Sequence, residues 1–200
     1  MSGDEATGGS QSVSRIEAFS DGVIAIIVTI MVLEIRPPHD ENIKSLFVLW
    51  PIFLSYALSF SVVSIYWINH HQLMSFATRK TNGTIWANLT FLFTLSLVPF
   101  ATTYLGEQKL SRNATLVYLG VISAPAVAYT WLRMDIRKNG SHSVEAKLYH
   151  QKSVFKSVIA TMIYIVGFPM AYYSPLAGFF CAFVVAMIWL LPKSQIDDLI

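Results

Sequence analysis

Between Ser45 and Thr78 the chain runs for 34 residues without an Asp, Glu, Lys or Arg. As one helix this stretch would measure about 50 Å, well beyond the ~30 Å hydrocarbon core of a bilayer. No water-soluble fold of this size hides so long an uncharged segment. The run therefore reads as a membrane span that tilts or extends past the bilayer, with Pro51 close to its start. The whole chain agrees: 54% of its 200 residues are hydrophobic and only 13% charged, about half the charged fraction of a soluble domain. Its net charge of +2 is too small to argue for nucleic acid. The lone Cys181 lies in an apolar run, which excludes disulfides and CxxC metal sites.

Applying the same length criterion along the chain predicts an all-α polytopic protein of six transmembrane helices: Ile16–Ile35, Leu46–Phe76, Thr84–Leu105, Ala114–Leu132, Val154–Tyr173 and Leu176–Leu191. Pro99, Pro125 and Pro169 fall inside spans three to five, where neighbouring helices can satisfy the freed carbonyls. Tyr173-Ser174-Pro175 leaves room only for a tight hairpin. Residues 1–14, rich in Gly and Ser, read as a disordered tail, residues 15–192 as the transmembrane domain and residues 193–200 as a short tail. The first span does not read as a cleaved signal peptide, because it carries Glu17 and Asp21 and no A-x-A site follows. Ten basic residues (Arg15, Arg79, Lys80, Arg133, Arg137, Lys138, Lys147, Lys152, Lys156 and Lys193) fall on one side of this topology and four (Arg36, Lys44, Lys109 and Arg112) on the other. The excess of positive charge places both termini in the cytoplasm. Within the basic stretch 133–153 and just beyond it, Val144, Leu148 and Phe155 recur at helical spacing, which predicts a short interfacial helix feeding span five.

Charge inside a span is costly and marks pathways or packing networks. Glu17, Asp21 and Glu34 are concentrated on the first span. Glu17 and Glu34 lie near its ends, in reach of headgroups or water. Asp21 lies deeper, with Arg15, Ser20 or a polar group of another helix as candidate partners, and a lock between helices or subunits is favoured over a permeation ligand. The same helix carries Gly22, Ile26, Thr29 and Leu33 at 4-3-4 spacing, with Ile30 beside them, on one face. Asp21 is displaced about 140° from Ile26, so charge and stripe meet different neighbours. By spacing alone, the stripe is compatible with packing in a bundle, facing lipid or lining a pore. On span two, Trp67, His70, His71 and Met74 share a face. Two imidazoles suggest Zn²⁺ binding or proton relay, but adjacent histidines point about 100° apart and make a poor chelating pair. A hydrogen bond from one of them to Asp21 or a backbone carbonyl is the plainer reading. Asn88 and Ser96 of span three are further candidate partners. No phosphate loop, HExxH, GxSxG or EF-hand pattern occurs, so an enzyme lacks its nucleophile or metal box. Nor is there a TVGYG-like filter.

The run Arg15-Ile-Glu-Ala-Phe19-Ser20-Asp21-Gly22 resembles the R-x-x-x-F-S-D signature of the prokaryotic relatives of the lysosomal potassium channel, the transmembrane protein 175 family. The Trp/His-rich second span, Trp86-x-Asn88 and Ser96-Leu-Val-Pro99-Phe on the third are similar too, and the resemblance extends over residues 15–192. It implies a six-helix subunit in the plasma membrane of a prokaryote, assembled as a homotetramer with helix one lining a central pore. It implies a selective constriction of stacked branched aliphatic rings, here Ile26, Ile30 and Leu33, with Thr29 as a nearby polar lining residue. Ile30 stands where Leu is common among relatives. It further implies a hydrogen-bond network near the cytoplasmic end built from Arg15, Phe19, Ser20 and Asp21, with Trp67, His70, His71 and Asn88 as partners.

A narrow apolar ring makes a passing ion shed part of its hydration shell, and potassium holds its water less tightly than sodium. The function expected is passive, potassium-favouring cation conduction with no cofactor and no resident metal. Two other classes stand beside it. One is a proton-coupled small-solute transporter using Asp21, His70 and His71; the other is a metal- or haem-binding membrane protein built on the paired histidines. Inverted repeats and broken helices, common in transporters, are not evident in the sequence.

Overall fold

The computed structural model describes residues 3–38 and 42–190, with side chains from Val13 onward. Every regular element in these residues is helical: α1 (Gly3–Leu33), α2 (Ile43–Val48), α3 (Trp50–Met74), α4 (Asn82–Ser96), α5 (Val98–Glu107), α6 (Arg112–Asn139), α7 (Val144–Tyr173) and α8 (Pro175–Leu190). Five stretches are long and apolar enough to cross a membrane: Val13–Leu33, α3, the α4–α5 pair (Asn82–Glu107), α6 and α7; α8 is a sixth, shorter apolar helix. This is the all-α polytopic class read from the sequence. The α1 helix is described from Gly3, well ahead of the span start read from hydropathy. The short tail expected at 193–200 lies outside the described residues.

The long uncharged run is divided. Asn42 caps α2, its side chain accepting from the Lys44 amide at 3.0 Å, and α2 ends after two turns. Leu49 separates it from α3, which carries Pro51 in its first turn. Proline has no N–H to give and suits the start of a helix, where that donor would be unused. The 25 residues of α3 then span about 37 Å, so one tilted crossing accommodates them. Span three is likewise interrupted, at Leu97 just before Pro99, and continues as α5. Pro125 and Pro169 stay inside α6 and α7, and Ser174 alone separates α7 from α8.

The basic stretch differs from expectation. Helix α6 continues to Asn139 and α7 begins at Val144, so only residues 140–143 are turn. Ser143 caps α7, accepting from the Ala146 amide at 3.1 Å. No glycine or proline follows until Gly167 and Pro169, so the expected separate interfacial helix is instead the opening turns of α7. Val144, Leu148 and Phe155 are exposed along it.

Packing is pairwise between long helices: α4 on α6, α7 on α8, α3 on α5, and α1 against α3, α4 and α5. Buried hydroxyls join them. The Thr102 hydroxyl donates to Ser59 at 2.7 Å and Ser59 lies 3.0 Å from the Tyr118 hydroxyl, linking α5, α3 and α6. Asp135 of α6 accepts from both Thr81, at 2.9 Å, and Thr84, at 2.6 Å, at the start of α4. The α7–α8 hairpin closes on small residues, as membrane helices do where their backbones approach. A Cβ added to Gly178 would lie 2.8 Å from the Ala171 Cα. Gly178→Ala is therefore expected to push the hairpin apart and destabilise the protein by roughly 1–3 kcal/mol, read as a lower midpoint of thermal unfolding in detergent. The same change at Gly120, where a Cβ meets nothing within 4 Å, should leave the midpoint in place.

Candidate functional site

Helix α1 has two unlike faces. Ile24, Ile27 and Met31 are 2%, 4% and 2% exposed and pack into the core, as does Ser20 at 0%. About 130° round the helix, Ile26, Ile30 and Leu33 are 58%, 41% and 76% exposed. Gly22 and Thr29 are exposed on the same side, and a Cβ on Gly22 would meet nothing within 4 Å. The Thr29 hydroxyl donates back to its own helix, 2.9 Å from the Ile26 carbonyl, which leaves its lone pairs turned outward. Val28 is half-buried against the core. Among the described residues of one subunit, the stripe is left largely open.

The opposite side of α1 is fastened by polar contacts. Asn88 of α4 donates through Nδ2 to the Ser20 hydroxyl at 2.9 Å, and Ser20 donates to the Ile16 carbonyl at 2.8 Å. The Asn88 Oδ1 accepts from His70 Nε2 of α3 at 2.7 Å. Since an amide oxygen can only accept, His70 carries its proton on Nε2. Its ring lies flat on Phe91, with centroids 5.4 Å apart and planes 3° from parallel. Two further links join α1 to α3. Trp67 Nε1 donates to Asp21 at 2.8 Å, and His71 Nδ1 lies 2.8 Å from Glu17. Glu17 and Asp21 are four residues apart, as are Trp67 and His71, so each pair occupies one helix face. On antiparallel helices the pairs meet in register. Trp67 and His71 also stack on each other, centroids 6.3 Å apart.

Two expected contacts are not formed. Asp21 meets Trp67, neither histidine, because Trp67 shares the α3 face that looks onto α1 while His70 is turned toward α4. Asp21 and Arg15 do not pair either: six residues of helix separate them by about 9 Å and 120°. Arg15 makes no ion pair among the described residues. It is exposed, on the same side of α1 as Phe19 and the aliphatic stripe. With Phe19, Lys80 and Asn88 it lines a cavity of about 340 Å³. His70 and His71 reach different partners and do not converge, and no group of three or more His, Cys, Asp or Glu among the described residues could hold a metal. Met74, expected beside them, is core at 1% exposed.

Other polar groups escaped the sequence reading. Tyr129 and Tyr149 lie 2.6 Å apart through their hydroxyls and both reach the Asn69 carbonyl. Arg133 of α6 and Lys156 of α7 are 5% and 6% exposed. Arg133 donates to Ser153 at 3.1 Å, and the Lys156 ammonium sits 5.6 Å above the Trp189 ring. Charge within the long helices is thus not confined to the first. Lys156 lies inside the fifth span, although the charge bias counts it with the loop cations; its burial beneath an indole is a tertiary fact with no local signal.

Comparison with known proteins bears on what this geometry serves. The profile of a family described as the endosomal/lysosomal potassium channel TMEM175 matches residues 15–99, the segment that carries α1, α3 and α4 and hence the whole network. A protein named a potassium channel from Chryseobacterium sp. (strain P1-3) is 42% identical over 186 residues, covering 92% of this chain and 95% of the relative. This chain belongs to the TMEM175 family.

Within the TMEM175 family, a protein named a potassium channel from Chamaesiphon minutus is 31% identical, with 86% of this chain and 91% of the relative covered. The crystal structure titled as a lysosomal potassium-selective channel TMEM175 homolog from that organism superposes with a TM-score of 0.71 at 29% identity, over 90% of this chain and 96% of the other. A human relative named an endosomal/lysosomal proton channel is 33% identical over 115 residues, which cover 22% of its length. The family is one of channels, not of enzymes.

Asn88 joins three helices through one amide. Asn88→Leu leaves the buried His70 N–H without an acceptor and removes the bond to Ser20, and is expected to cost about 1–3 kcal/mol, measured as a fall in the thermal midpoint. Ser20→Ala leaves the Asn88–His70 bond intact and should cost less.

Proposed function

We propose that this chain is a potassium-favouring cation channel in which four copies of α1 surround a central pore, narrowed by rings of Ile26, Ile30 and Leu33 with Thr29 beside them. The observation that carries the reading is the two-sidedness of α1. One face is locked to α3 and α4 by polar contacts, and the other presents a mainly aliphatic stripe, with Thr29 on it, that a single subunit leaves open. One stripe cannot enclose a path, and cyclic symmetry supplies the missing walls. Residues 15–192 form the channel domain, the network residues lie toward the cytoplasmic end of α1, and both termini face the cytoplasm of a prokaryotic cell across its plasma membrane. The names of the bacterial relatives support potassium as the permeant ion, and no cofactor is required.

The mechanism relies on size and dryness. An ion entering the rings exchanges part of its water shell for hydrocarbon that offers no oxygen in return. Sodium holds that shell more strongly and faces the higher barrier. The selectivity is accordingly modest, because no cage of carbonyls repays the lost water. The network on the far side of α1 holds each stripe at a fixed rotation, which keeps the constriction narrow. The Glu17–His71 and Asp21–Trp67 contacts act as positioning elements here, with no part in binding the ion.

Ile26→Asn or Leu33→Asn should hydrate the constriction and bring sodium permeability toward that of potassium, as read by reversal potentials under bi-ionic conditions in planar bilayers. A Val28→Ala control, altering the half-buried side of α1, should leave the ratio unchanged. An unchanged ratio in both stripe variants would exclude this face as the selective one. Because a relative is named for protons, the same recordings across a pH gradient report whether protons share the path. The purified protein in nanodiscs should have the mass of a tetramer, and a conducting monomer would contradict the assembly.

A further inference from the structure

The turn that joins α6 to α7 closes a second cavity, of about 570 Å³, remote from the stripe. Its polar lining consists of Arg137, Ser141, His142, Lys147, His150 and Gln151, and it contains no carboxylate. His150 is 5% exposed, and both of its ring nitrogens lack a hydrogen-bond partner among the described residues. The ring is held in place by Phe76, centroids 6.3 Å apart, and by Tyr149 at 5.7 Å. A buried imidazole with neither nitrogen satisfied is expensive, and the lining holds no carboxylate to pair with it. Arg137 ends α6 and Lys147 opens α7, so a guanidinium and an ammonium flank the same space. The amino-terminal end of α7 adds the positive pole of its dipole. The Ser141 amide donates to the Phe76 carbonyl at 2.8 Å, which ties this wall to the end of α3.

We infer that this cavity binds a phosphate group through Arg137, Lys147 and His150, with Ser141, His142 and Gln151 completing the donor set. Phosphate suits these donors. A planar guanidinium and an N–H of His150 give directed hydrogen bonds to separate oxygens, and Lys147 supplies charge without demanding geometry. Binding gives the buried ring the partner it lacks. The phosphate has two possible sources of the same chemistry: the headgroup of an anionic phospholipid in the adjoining leaflet, or inorganic phosphate or a soluble phosphate ester from the aqueous side. Either would brace α6, α7 and the end of α3 against one another.

The test uses the full-length protein in nanodiscs of phosphatidylcholine alone or of phosphatidylcholine with phosphatidic acid, each with and without inorganic phosphate, and reads the midpoint of thermal unfolding. A ligand bound only by the folded state raises that midpoint. A rise with phosphatidic acid but not with inorganic phosphate supports the site with a lipid headgroup as its source. A rise with inorganic phosphate in phosphatidylcholine discs supports it with a soluble source. The double variant Arg137→Gln/Lys147→Gln, altered at two exposed positions, should fold normally and bind about tenfold more weakly or worse. His150→Phe keeps the ring and its packing and should also lose most of the response. Lys138→Gln, an exposed cation outside the cavity, should keep it. The inference is overturned if neither probe raises the midpoint, or if Arg137→Gln/Lys147→Gln or His150→Phe responds as fully as the unaltered protein. None of these readouts depends on ion conduction.

Discussion

An apolar helix in a bilayer satisfies its backbone in any rotational setting, because every N–H and C=O is paired within the helix. What sets the rotation of α1 is the chain of hydrogen bonds from Ser20 to Asn88 to His70. In hydrocarbon the alternative to this contact is an unsatisfied Asn88 amide and His70 N–H, since the Ser20 hydroxyl keeps its bond to the Ile16 carbonyl. The contact forms only where α1 turns Ser20 onto α4. Asp21 and Glu17 then fall against Trp67 and His71, and the aliphatic stripe is left facing away from the subunit. A turn of one residue, about 100°, would bury Ile26 or Ile30 and expose Ser20. The proposed constriction and the lock are thus two consequences of a single orientation, which explains why residues of such different character lie close together on one helix.

The parts of this that could be read in sequence are those with a local period. The 4-3-4 spacing of Gly22, Ile26, Thr29 and Leu33 defines a face, and the length of each apolar run identifies a span. The spacings Glu17–Asp21 and Trp67–His71 are equally local, and setting one against the other on antiparallel helices would have given both pairings. Which histidine turns to α4 was not accessible, because it depends on how three helices are placed around Phe91. The boundary between α6 and α7 misled for a different reason. Basic residues there resemble a loop by composition, yet Ser143 caps the helix and no glycine or proline follows until Gly167. Long cationic side chains let a helix run past the hydrocarbon edge, since their heads reach water while their stems stay packed. The division at Leu49 was visible only as the position of Pro51, a constraint on where α3 starts, not on whether α2 exists.

Helices α6, α7 and α8 carry a different chemistry from α1. They bury Arg133 and Lys156, enclose the Tyr129–Tyr149 pair and end in the cationic cavity at the α6–α7 turn, whereas the first three spans hold the lock and the stripe. The family profile stops at Pro99, and the conduction apparatus proposed above lies wholly within that portion. The later helices support it from outside: α6 packs on α4, whose Asn88 holds the lock, and Asp135 fixes the start of α4 through Thr81 and Thr84. A disturbance at the α6–α7 turn therefore has a physical route to α1 through α4, by contacts present in the folded subunit.

The exposed face of α1 meets either water and ions or lipid, and a thiol distinguishes the two, because charged thiol reagents attack the thiolate and hydrocarbon suppresses ionisation. The single native cysteine is buried and can be replaced by alanine. In that background Leu33→Cys, at the most exposed position of the stripe, should react with a charged methanethiosulfonate added from the aqueous side, and the reaction should block potassium current. Val28→Cys should remain unreactive. Blockade at Leu33→Cys with none at Val28→Cys is the result predicted if α1 lines the ion path. An inert Leu33→Cys with full current after prolonged exposure would mean that the stripe faces lipid and that the path lies elsewhere.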